Sequence, residues 1–447
     1  MASYIYANDI DLITDKENDR LIFVEKAKNQ FRISIYDENF KFLDSINIER
    51  TTKIGGEIVY STILDNVLNI VLSSGSRKNF SLITIDLASK EIIKAKNVLK
   101  LWEEDFLQLF TNSNKLYALA SSRVKQELNL YQLKKNGNEL LKKFDMSNIE
   151  FKTQGSKNEK LKYLFRDKGM PSPYPNLKKL SDLYPYPLTG TSSLSKCYQK
   201  ENIILITLDH NRASTKILTI DLDKLSLSHK EINKPLLKSK KGRSNSLIKK
   251  DLIYQLVVDN SELILSVKNY LTNETIYENS ASETQITFIN GPFTFEGTRY
   301  VNSDITTKEF DSREKFFTKI SNKTPSISVD HIDDKYIITL GSSASFDVNR
   351  GLNFLGNSNG FDMSYSYTPE SLITDDFFKS TFVRCVFDSD MNQLKNEEIP
   401  SNIFRKISDY KENNKINKDT VESIGYINGN FIYVYLDKGI YNFLTFD

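Results

Sequence analysis

The sequence has few of the residues on which catalytic and metal sites most often depend. Its 447 residues include three histidines, two cysteines and one tryptophan. It contains no Cys-x-x-Cys, His-Glu-x-x-His, Gly-x-Ser-x-Gly or glycine-rich nucleotide-binding motif. The common signatures of zinc sites, serine hydrolases and nucleotide-binding proteins are therefore absent. Cys197 and Cys385 lie far apart in the sequence and predict two free thiols rather than a disulfide framework.

The sequence also lacks a charge excess and a long hydrophobic run. Its 60 basic and 58 acidic residues leave a net charge of +2, whereas nucleic-acid binders usually carry a larger basic excess. No segment approaches the roughly 18 apolar residues of a membrane-spanning helix. We therefore predict no nucleic-acid partner and no direct membrane insertion.

The N-terminal residues 1–6 have neither the basic region nor the apolar region of a signal peptide. Two locations stay open. One is the cytoplasm, which the sequence indicates as written. The other is the periplasm or the cell surface, if a signal peptide has been removed from this chain.

The sequence is rich in short apolar strands that end in a polar residue. Phe and Tyr, which half-buried strands favour, number 27 and 23. An aspartate ends most members of the series, and it predicts a turn in which its side chain accepts backbone N–H hydrogen bonds. The members are Arg32–Asp37, Leu82–Asp86, Leu128–Gln132, Lys216–Asp221, Leu263–Lys268, Val383–Asp388 and Tyr441–Asp447.

Other strands accompany each member of this series. Hairpins joined by polar turns precede several of them, as at Asn428–Gly429, which is a strong hairpin signal between apolar runs. A polar fourth strand can follow, as at Leu43–Ile48. The spacing from Asp37 to Asp86 matches the roughly 40–50 residues of a four-stranded blade.

This organisation resembles the β-propeller superfamily. The resemblance implies one all-β domain over residues 1–447 with about seven four-stranded blades. An eighth blade results if residues 283–289, 293–295 and 315–320 are further strands. The recurring signatures of WD40, kelch and sialidase-type propellers are absent, so the resemblance extends to the fold alone and implies no catalytic residue.

The two chain ends predict how the propeller closes. The last repeat stops at Asp447 after its third strand, and a short strand at Ser3–Ala7 precedes the first repeat. We predict that residues 3–7 pair with residues 441–447 and complete the C-terminal blade, which removes an unpaired sheet edge.

Two inserted segments, at about 146–190 and 341–380, are too long for turns between strands. The first alternates Tyr and Pro and predicts an ordered loop or a pair of short helices. The second is rich in Gly, Ser and Asn with spaced aromatics. Because rigid aromatic side chains are common interface anchors, we predict that they bind a partner. They are Tyr163, Phe165, Tyr174, Tyr184, Tyr186, Phe354, Phe361, Tyr365 and Tyr367.

Weaker candidates are distributed along the chain. His331, Asp333 and Asp334 offer ligands for a metal ion, although they also fit a polar hairpin turn. His210 and His229 are expected in solvent. The carboxylates of Glu103–Asp105 beside Trp102 are candidates for acid–base chemistry. The basic run Lys238–Arg243 lacks interleaved aromatics and predicts a solvated loop.

Taken together, these patterns predict a non-enzymatic interaction or scaffold module that presents its long aromatic loops to a protein partner and needs no cofactor. The alternative is a carbohydrate-binding or hydrolytic propeller that uses carboxylates at the mouth of its central tunnel. The sequence identifies neither the partner nor an oligomeric state.

Overall fold

The fold is almost entirely β-structure. A computed structural model describes residues 10–446, with the exception of 16, 28, 51–55, 155–157, 167–176, 182–183, 238–241, 286, 299–304, 346–377, 417–421, 428–429 and 438–439. In this part of the chain the strands form seven sheets, and most neighbouring strands are antiparallel.

The first three sheets each contain four strands in chain order. Sheet one consists of β1 (Ile10–Asp15), β2 (Arg20–Lys26), β3 (Gln30–Asp37) and β4 (Phe42–Glu49). Sheet two consists of β5 (Glu57–Leu64), β6 (Val67–Ser73), β7 (Asn79–Asp86) and β8 (Ile92–Lys100). Sheet three consists of β9 (Glu104–Asn112), β10 (Lys115–Ser122), β11 (Glu127–Lys134) and β12 (Gly137–Asp145).

Sheets four and five follow the same plan, and sheet four gains one strand. Sheet four consists of β13 (Lys178–Leu180), β14 (Ser195–Lys200), β15 (Ile203–Leu208), β16 (Ser214–Asp221) and β17 (Ser226–Asn233). The added strand β13 is parallel to β14. Sheet five consists of β18 (Arg243–Lys249), β19 (Leu252–Val258), β20 (Glu262–Asn269) and β21 (Thr275–Ser282).

Sheet six takes its outer strands from the segment that precedes its inner strand. Its order is β23-β22-β26-β25-β24. The strands are β22 (Thr294–Thr298), β23 (Ile305–Glu309), β24 (Pro325–Ile332), β25 (Lys335–Ser345) and β26 (Phe378–Phe387). Sheet seven has three strands in the described residues, β27 (Glu422–Ile427), β28 (Asn430–Asp437) and β29 (Ile440–Phe446).

Helices occur outside the repeated strands. In the described residues they are α1 (Leu161–Leu164), α2 (Leu188–Thr191), α3 (Arg313–Ser321) and α4 (Ile403–Asn413). Among the residues that the structure describes, no helix has the length and apolar character needed to cross a membrane.

Seven sheets with this strand order make the chain a seven-bladed β-propeller, as the repeated strands predict. By its contacts the chain divides into two compact units. The first unit comprises residues 1–143, 357–374 and 403–447, and its described part holds sheets one, two and seven and all of sheet three except the last two residues of β12. The second unit comprises residues 144–356 and 375–402, and its described part holds sheets four, five and six.

The predicted repeat strands coincide with β3, β7, β11, β16, β20, β26 and β29. Four of their aspartates have the predicted role, and Asp447 lies outside the described residues. The Asp388 carboxylate accepts hydrogen bonds from the backbone N–H groups of Asp390 at 3.0 Å and Asn392 at 2.8 Å. Asp37, Asp86 and Asp221 accept two backbone N–H bonds in the same way. In sheet five the residue with this role is Asn269, one position beyond the predicted Lys268.

The predicted additional strands do not form an eighth blade. Residues 315–320 lie within α3, where the hydroxyl of Ser312 accepts a hydrogen bond from the Lys315 N–H and caps the first turn. Phe316, Phe317 and Ile320 are fully buried on one face of this helix. Their spacing is helical, and the strand prediction overlooked it. The described part of 283–289 is not a strand, while 293–295 partly overlaps β22.

The start of the second predicted insert is also strand rather than loop. Gly341 lies inside β25 and pairs with Phe382 of β26. A Cβ atom on Gly341 would lie 2.2 Å from the carbonyl oxygen of Thr381, so the close approach of the two strands requires glycine here. Residues 378–380, at the end of the predicted insert, are also strand because they belong to β26. The part between, residues 346–377, lies outside the described residues.

Sheet seven contacts sheet one within the first unit, and it contains the three strands that the sequence predicts. Leu12, Leu21 and Phe23 of sheet one form one buried cluster with Ile432 and Val434 of sheet seven. The proposed closing strand, residues 3–7, lies outside the described residues, so its pairing with residues 441–447 stays a prediction.

Candidate functional site

The described residues of 146–166 form the outgoing leg of the first insert, which is fixed to sheet four. Phe151 and Leu164 are buried, and the ammonium of Lys216 on β16 lies 5.4 Å from the centre of the Phe151 ring. Lys216 also donates a hydrogen bond to the carbonyl oxygen of Glu150 at 2.6 Å and pairs with Glu231 of β17 at 2.8 Å. Apolar burial and a charged tether therefore hold this leg together.

The described residues of 177–193 form the return leg of the insert, which follows the inner strands of all three sheets in the second unit. On sheet four, β13 pairs with β14. Lys249 of sheet five donates a hydrogen bond to the Tyr184 carbonyl at 3.1 Å, and Ser328 of sheet six donates one to the Tyr186 carbonyl. The leg also has buried apolar side chains, namely Leu177, Leu180, Tyr186 and Leu188.

A fully buried ionic cluster lies beside the end of the return leg. The Asp209 carboxylate lies 2.9 Å from the ammonium of Lys234 and 3.2 Å from that of Lys196, and none of these three side chains has any exposed surface. The hydroxyls of Thr215 and Ser246 each donate a hydrogen bond to the carboxylate at 2.8 Å. Every oxygen of the buried carboxylate is thus hydrogen-bonded, as a buried charge requires.

The cluster contains two ammonium groups and one carboxylate. Burial alone would raise the pKa of Asp209, but the ammoniums of Lys234 and Lys196 hold it well below its ordinary value. Burial lowers the pKa of both lysines, and Asp209 opposes that shift. Neutral carbonyl oxygens stabilise the excess positive charge. Lys196 also donates a hydrogen bond to the Ser193 carbonyl at 2.6 Å, and Lys234 donates one to the Asn211 carbonyl at 2.9 Å.

Asn245, the second residue after Arg243 at the start of β18, connects this cluster to the return leg. Its side-chain oxygen accepts a hydrogen bond from Lys196 at 2.6 Å. Its amide nitrogen lies 3.2 Å from the carbonyl oxygen of Thr191, 3.3 Å from that of Ser192 and 2.7 Å from that of Pro325. Asn245 is fully buried, so a single amide joins sheet four, sheet six and the end of the insert.

The sequence gives little signal for these polar residues. Lysine and aspartate are rarely fully buried, and Lys196, Asp209 and Asn245 belong to three separate segments with no shared motif. Lys196 lies next to Cys197 and Tyr198 in a strand whose two faces are both covered, and this apolar context is the one clue that its side chain is buried.

The predicted aromatic residues of the first insert divide between surface and core. Tyr163 is 42% exposed, and the ammonium of Lys162 lies 5.2 Å from the centre of its ring. Tyr184 is half-buried, with its ring 5.1 Å from that of Tyr186. Phe165 and Tyr186 are buried, at 1% and 8% exposure, so they pack inside the fold instead of presenting surface anchors.

The other predicted aromatic residues lie outside the described residues. They are Tyr174 of the first insert and Phe354, Phe361, Tyr365 and Tyr367 of the second. Their predicted contact with a partner remains a prediction.

The residues proposed as metal ligands form a hairpin turn. Asp333 and Asp334 join β24 to β25, and both have positive φ angles, 48° and 60°, as a tight two-residue turn requires. The ring of His331 packs edge-on against Tyr336 at 4.9 Å. Among the described residues, no group of three or more His, Cys, Asp or Glu side chains is arranged to hold a metal ion.

Two of the three carboxylates beside Trp102 have protein partners, while Glu103 is exposed. Asp105 is buried and accepts a hydrogen bond from Arg123 at 2.7 Å. Glu104 accepts hydrogen bonds from the Tyr131 hydroxyl, at 2.8 Å, and from the Asn129 amide. Because these carboxylates stabilise the end of sheet three, the arrangement does not resemble a pair of acid and base groups facing a substrate.

The histidine predictions are half correct. His229 lies exposed on the outer strand β17, as expected. His210 is 8% exposed, so the expectation that solvent surrounds it is wrong. It lines a cavity of about 10 Å³ under the outgoing leg of the insert, next to Phe151 and Leu164. This volume holds about one water molecule and no organic ligand.

Comparison with known proteins identifies no family. No family model and no curated protein sequence match the chain. Similar solved structures include the β-propeller domain of the Trilobed protease from Pyrococcus furiosus, with 8% identity, a TM-score of 0.34 and coverage of 100% of this chain and 95% of that one. Hsv2 from Kluyvelomyces marxianus has 8% identity, a TM-score of 0.34 and coverage of 98% and 97%.

An oligogalacturonate lyase in complex with manganese is similar at the same level. It has 9% identity and a TM-score of 0.32, and the match covers 85% of this chain and 89% of that one. Likenesses of this size carry no argument about the activity, ligands or partners of this chain.

Proposed function

We propose that this chain is a protein-interaction module and that its first insert forms part of the contact surface for a protein partner. The observation that carries the proposal is the anchoring of the insert. Lys216 holds its outgoing leg, and Lys249, Ser328 and Asn245 hold its return leg. A surface that is already ordered loses less conformational entropy when it binds a partner.

The exposed part of the insert has the chemistry of an interface anchor. Tyr163 presents a rigid amphipathic ring with the cationic Lys162 beside it, and tyrosine is enriched among the residues that dominate binding energies. Two residues of the same short helix, Leu161 and Leu164, are buried beneath it. The ring is therefore presented from a packed element.

The strands that flank the second insert lie close to α2, near the end of the first insert. Helix α2 packs against β24, β25 and β26. Pro325, at the start of β24, pairs with Ser342 of β25, which in turn pairs with Thr381 of β26. The contribution of residues 346–377, which connect β25 to β26 and lie outside the described residues, to a contact surface stays a prediction.

The alternative function receives less support from the described residues. A ligand site at the inner strands of sheets four to six would meet the return leg, which pairs with β14 and is hydrogen-bonded to Lys249 and Ser328. The carboxylates of Glu104 and Asp105 are engaged in structural hydrogen bonds. We therefore prefer protein binding to carbohydrate binding or hydrolysis.

The proposal is tested by capturing the tagged full-length chain from its native cells under identical conditions for several variants. Tyr163→Ser is expected to weaken capture of a stoichiometric partner by about tenfold or more, the effect of losing an aromatic anchor. Trp102→Ser is the matched control, because Trp102 is 70% exposed and lies outside both inserts.

Replacing residues 347–377 with a Gly/Ser linker tests the second insert in the same assay. Unchanged capture after both Tyr163→Ser and this replacement would refute the proposed surface. If only Trp102→Ser abolished capture, the partner would instead contact the region of Trp102, just before sheet three.

A further inference from the structure

The side-chain amide of Asn245 has only one orientation that satisfies its surroundings. Three carbonyl oxygens, from Thr191, Ser192 and Pro325, face its nitrogen, and the Lys196 ammonium and the Ser246 N–H face its oxygen. An amide offers two N–H donors and one accepting oxygen. No other side chain of this size provides donors and an acceptor in these two directions.

The hydrogen bonds of Asn245 reach the segment of the insert that supports the exposed Tyr163. Thr191 and Ser192 lie near the end of the return leg. Three residues further on, the hydroxyl of Ser195 donates a hydrogen bond at 2.6 Å to the carbonyl oxygen of Leu164, which follows Tyr163 in α1. The end of the return leg and the helix that carries Tyr163 are therefore fixed to the same short segment, residues 191–195.

We propose that Asn245 is the positioning residue of the first insert. Its amide fixes the return leg to sheets five and six, and through Ser195 it sets the orientation in which Tyr163 is presented. The positioning concerns only the fold of the second unit. Its consequence for recognition rests on the proposed function.

A competing explanation assigns Asn245 to charge balance. The cluster has two ammoniums for one carboxylate, and the Asn245 oxygen is one of the neutral groups that stabilise Lys196. If that were its main role, Asn245→Asp would supply a second carboxylate next to Lys196 and would stabilise the protein. The positioning role predicts the opposite, because the new carboxylate would face three carbonyl oxygens and would lose every donor to the return leg.

Hydrogen exchange of the full-length protein, read peptide by peptide, distinguishes these explanations. In both Asn245→Leu and Asn245→Asp, the amides of the described residues in 177–192 are expected to exchange about tenfold faster or more. Amides of β20, in the middle of sheet five, are expected to change by less than about twofold.

The matched control is Asn69→Leu. Asn69 is also buried in a sheet, and its amide donates at 3.0 Å to the Val67 carbonyl without contact with the insert. This variant is expected to leave exchange of 177–192 unchanged. If Asn245→Leu does not fold, Asn245→Ser gives the same measurement with a smaller polar side chain.

The proposal is overturned if Asn245→Asp protects the return leg as well as the native residue does, or if the leg and β20 lose protection equally. Partner capture separates this result from the proposed function. Unchanged capture by a variant with a loosened return leg would count against the role of the insert in recognition while leaving the positioning intact. Unchanged protection of the leg would refute the positioning, whatever the capture shows.

Discussion

The Asp209 carboxylate lies 2.9 Å from the ammonium of Lys234, and neither side chain has any surface in contact with solvent. A buried ion pair contributes little net stability compared with apolar packing, but removal of one partner leaves an uncompensated charge in a low-dielectric interior. Here removal of the carboxylate would leave two such charges, since Lys196 shares it.

We therefore predict that Asp209→Asn lowers the free energy of unfolding by about 3–5 kcal/mol, as measured by urea denaturation at neutral pH. Asp251→Asn is the control, because Asp251 forms an exposed ion pair with Lys200 at 3.4 Å. Its effect is expected within about 0.5 kcal/mol. Equal effects of the two substitutions would contradict the assignment of Asp209 as the centre of the cluster.

The stability difference between the native protein and Asp209→Asn also depends on pH. The two ammoniums hold the pKa of Asp209 below its value in the unfolded chain, about 3.9. Below that pH the unfolded state binds a proton that the folded state does not, so the stabilisation by the carboxylate decreases as the pH falls. The difference in unfolding free energy should be constant from pH 5 to 7 and shrink below about pH 4.

Both thiols are predicted to be unreactive in the folded protein. Cys197 and Cys385 are free, as the sequence predicts, and both are fully buried. Burial raises the pKa of Cys197 to about 12. In the reaction with Ellman's reagent the thiolate attacks the disulfide of the reagent, so the reaction at pH 8 should proceed only as fast as the protein unfolds. A Ser89→Cys variant, in an exposed turn, supplies the rate for an accessible thiol.

Rapid reaction of Cys197 or Cys385 in the folded protein would contradict this packing. Full denaturation should release two reactive thiols from the native sequence and three from Ser89→Cys. The comparison distinguishes inaccessible thiols from a reagent that has lost its activity.

The closing strand can be tested through the edge of sheet seven. Ile10, the first described residue, pairs with Glu25, and the Glu25 carboxylate accepts a hydrogen bond from the Tyr441 hydroxyl at 3.1 Å. Through Glu25 the first described strand is thus connected to Tyr441 in β29, the strand along which residues 3–7 are predicted to pair. Deletion of residues 2–7 should accelerate hydrogen exchange of the β29 amides by about tenfold or more.

Exchange in β20 of the second unit serves as the internal reference for that deletion. If β29 exchanges at the same rate with and without residues 2–7, those residues do not close the propeller. In that case the apolar and aromatic residues of β29, which lies at the edge of sheet seven in the described residues, require another explanation.

The sequence predicts the blades well because their information is local. The apolar run of β26, which ends at Phe387, and the hydrogen bonds of Asp388 that form the turn after it both lie within a few residues. The same applies to the turn at Asp333 and Asp334. The misassigned strand at 315–320 also had a local signal, since Phe316 and Ile320 are one helical turn apart.

The site could not be predicted in the same way because its contacts are not local. Lys196, Asp209 and Asn245 meet only after two sheets have formed, and β13 is three residues long, too short to give a pattern of its own. Burial of Phe165 and Tyr186 depends on how the insert folds back on the sheets. In the sequence, Phe165 and Tyr186 look the same as the exposed Tyr163, because all three are aromatic residues of the first insert.

Site-specific photocrosslinking in native cells tests the interaction surface most directly. A photoreactive phenylalanine derivative placed at position 163 should give a discrete covalent adduct with one partner protein, while the same group at position 102 should not. The Asn245→Leu substitution should reduce the yield at position 163. Absence of any adduct from position 163, together with a discrete adduct from position 102, would contradict the proposal that the first insert forms the binding surface.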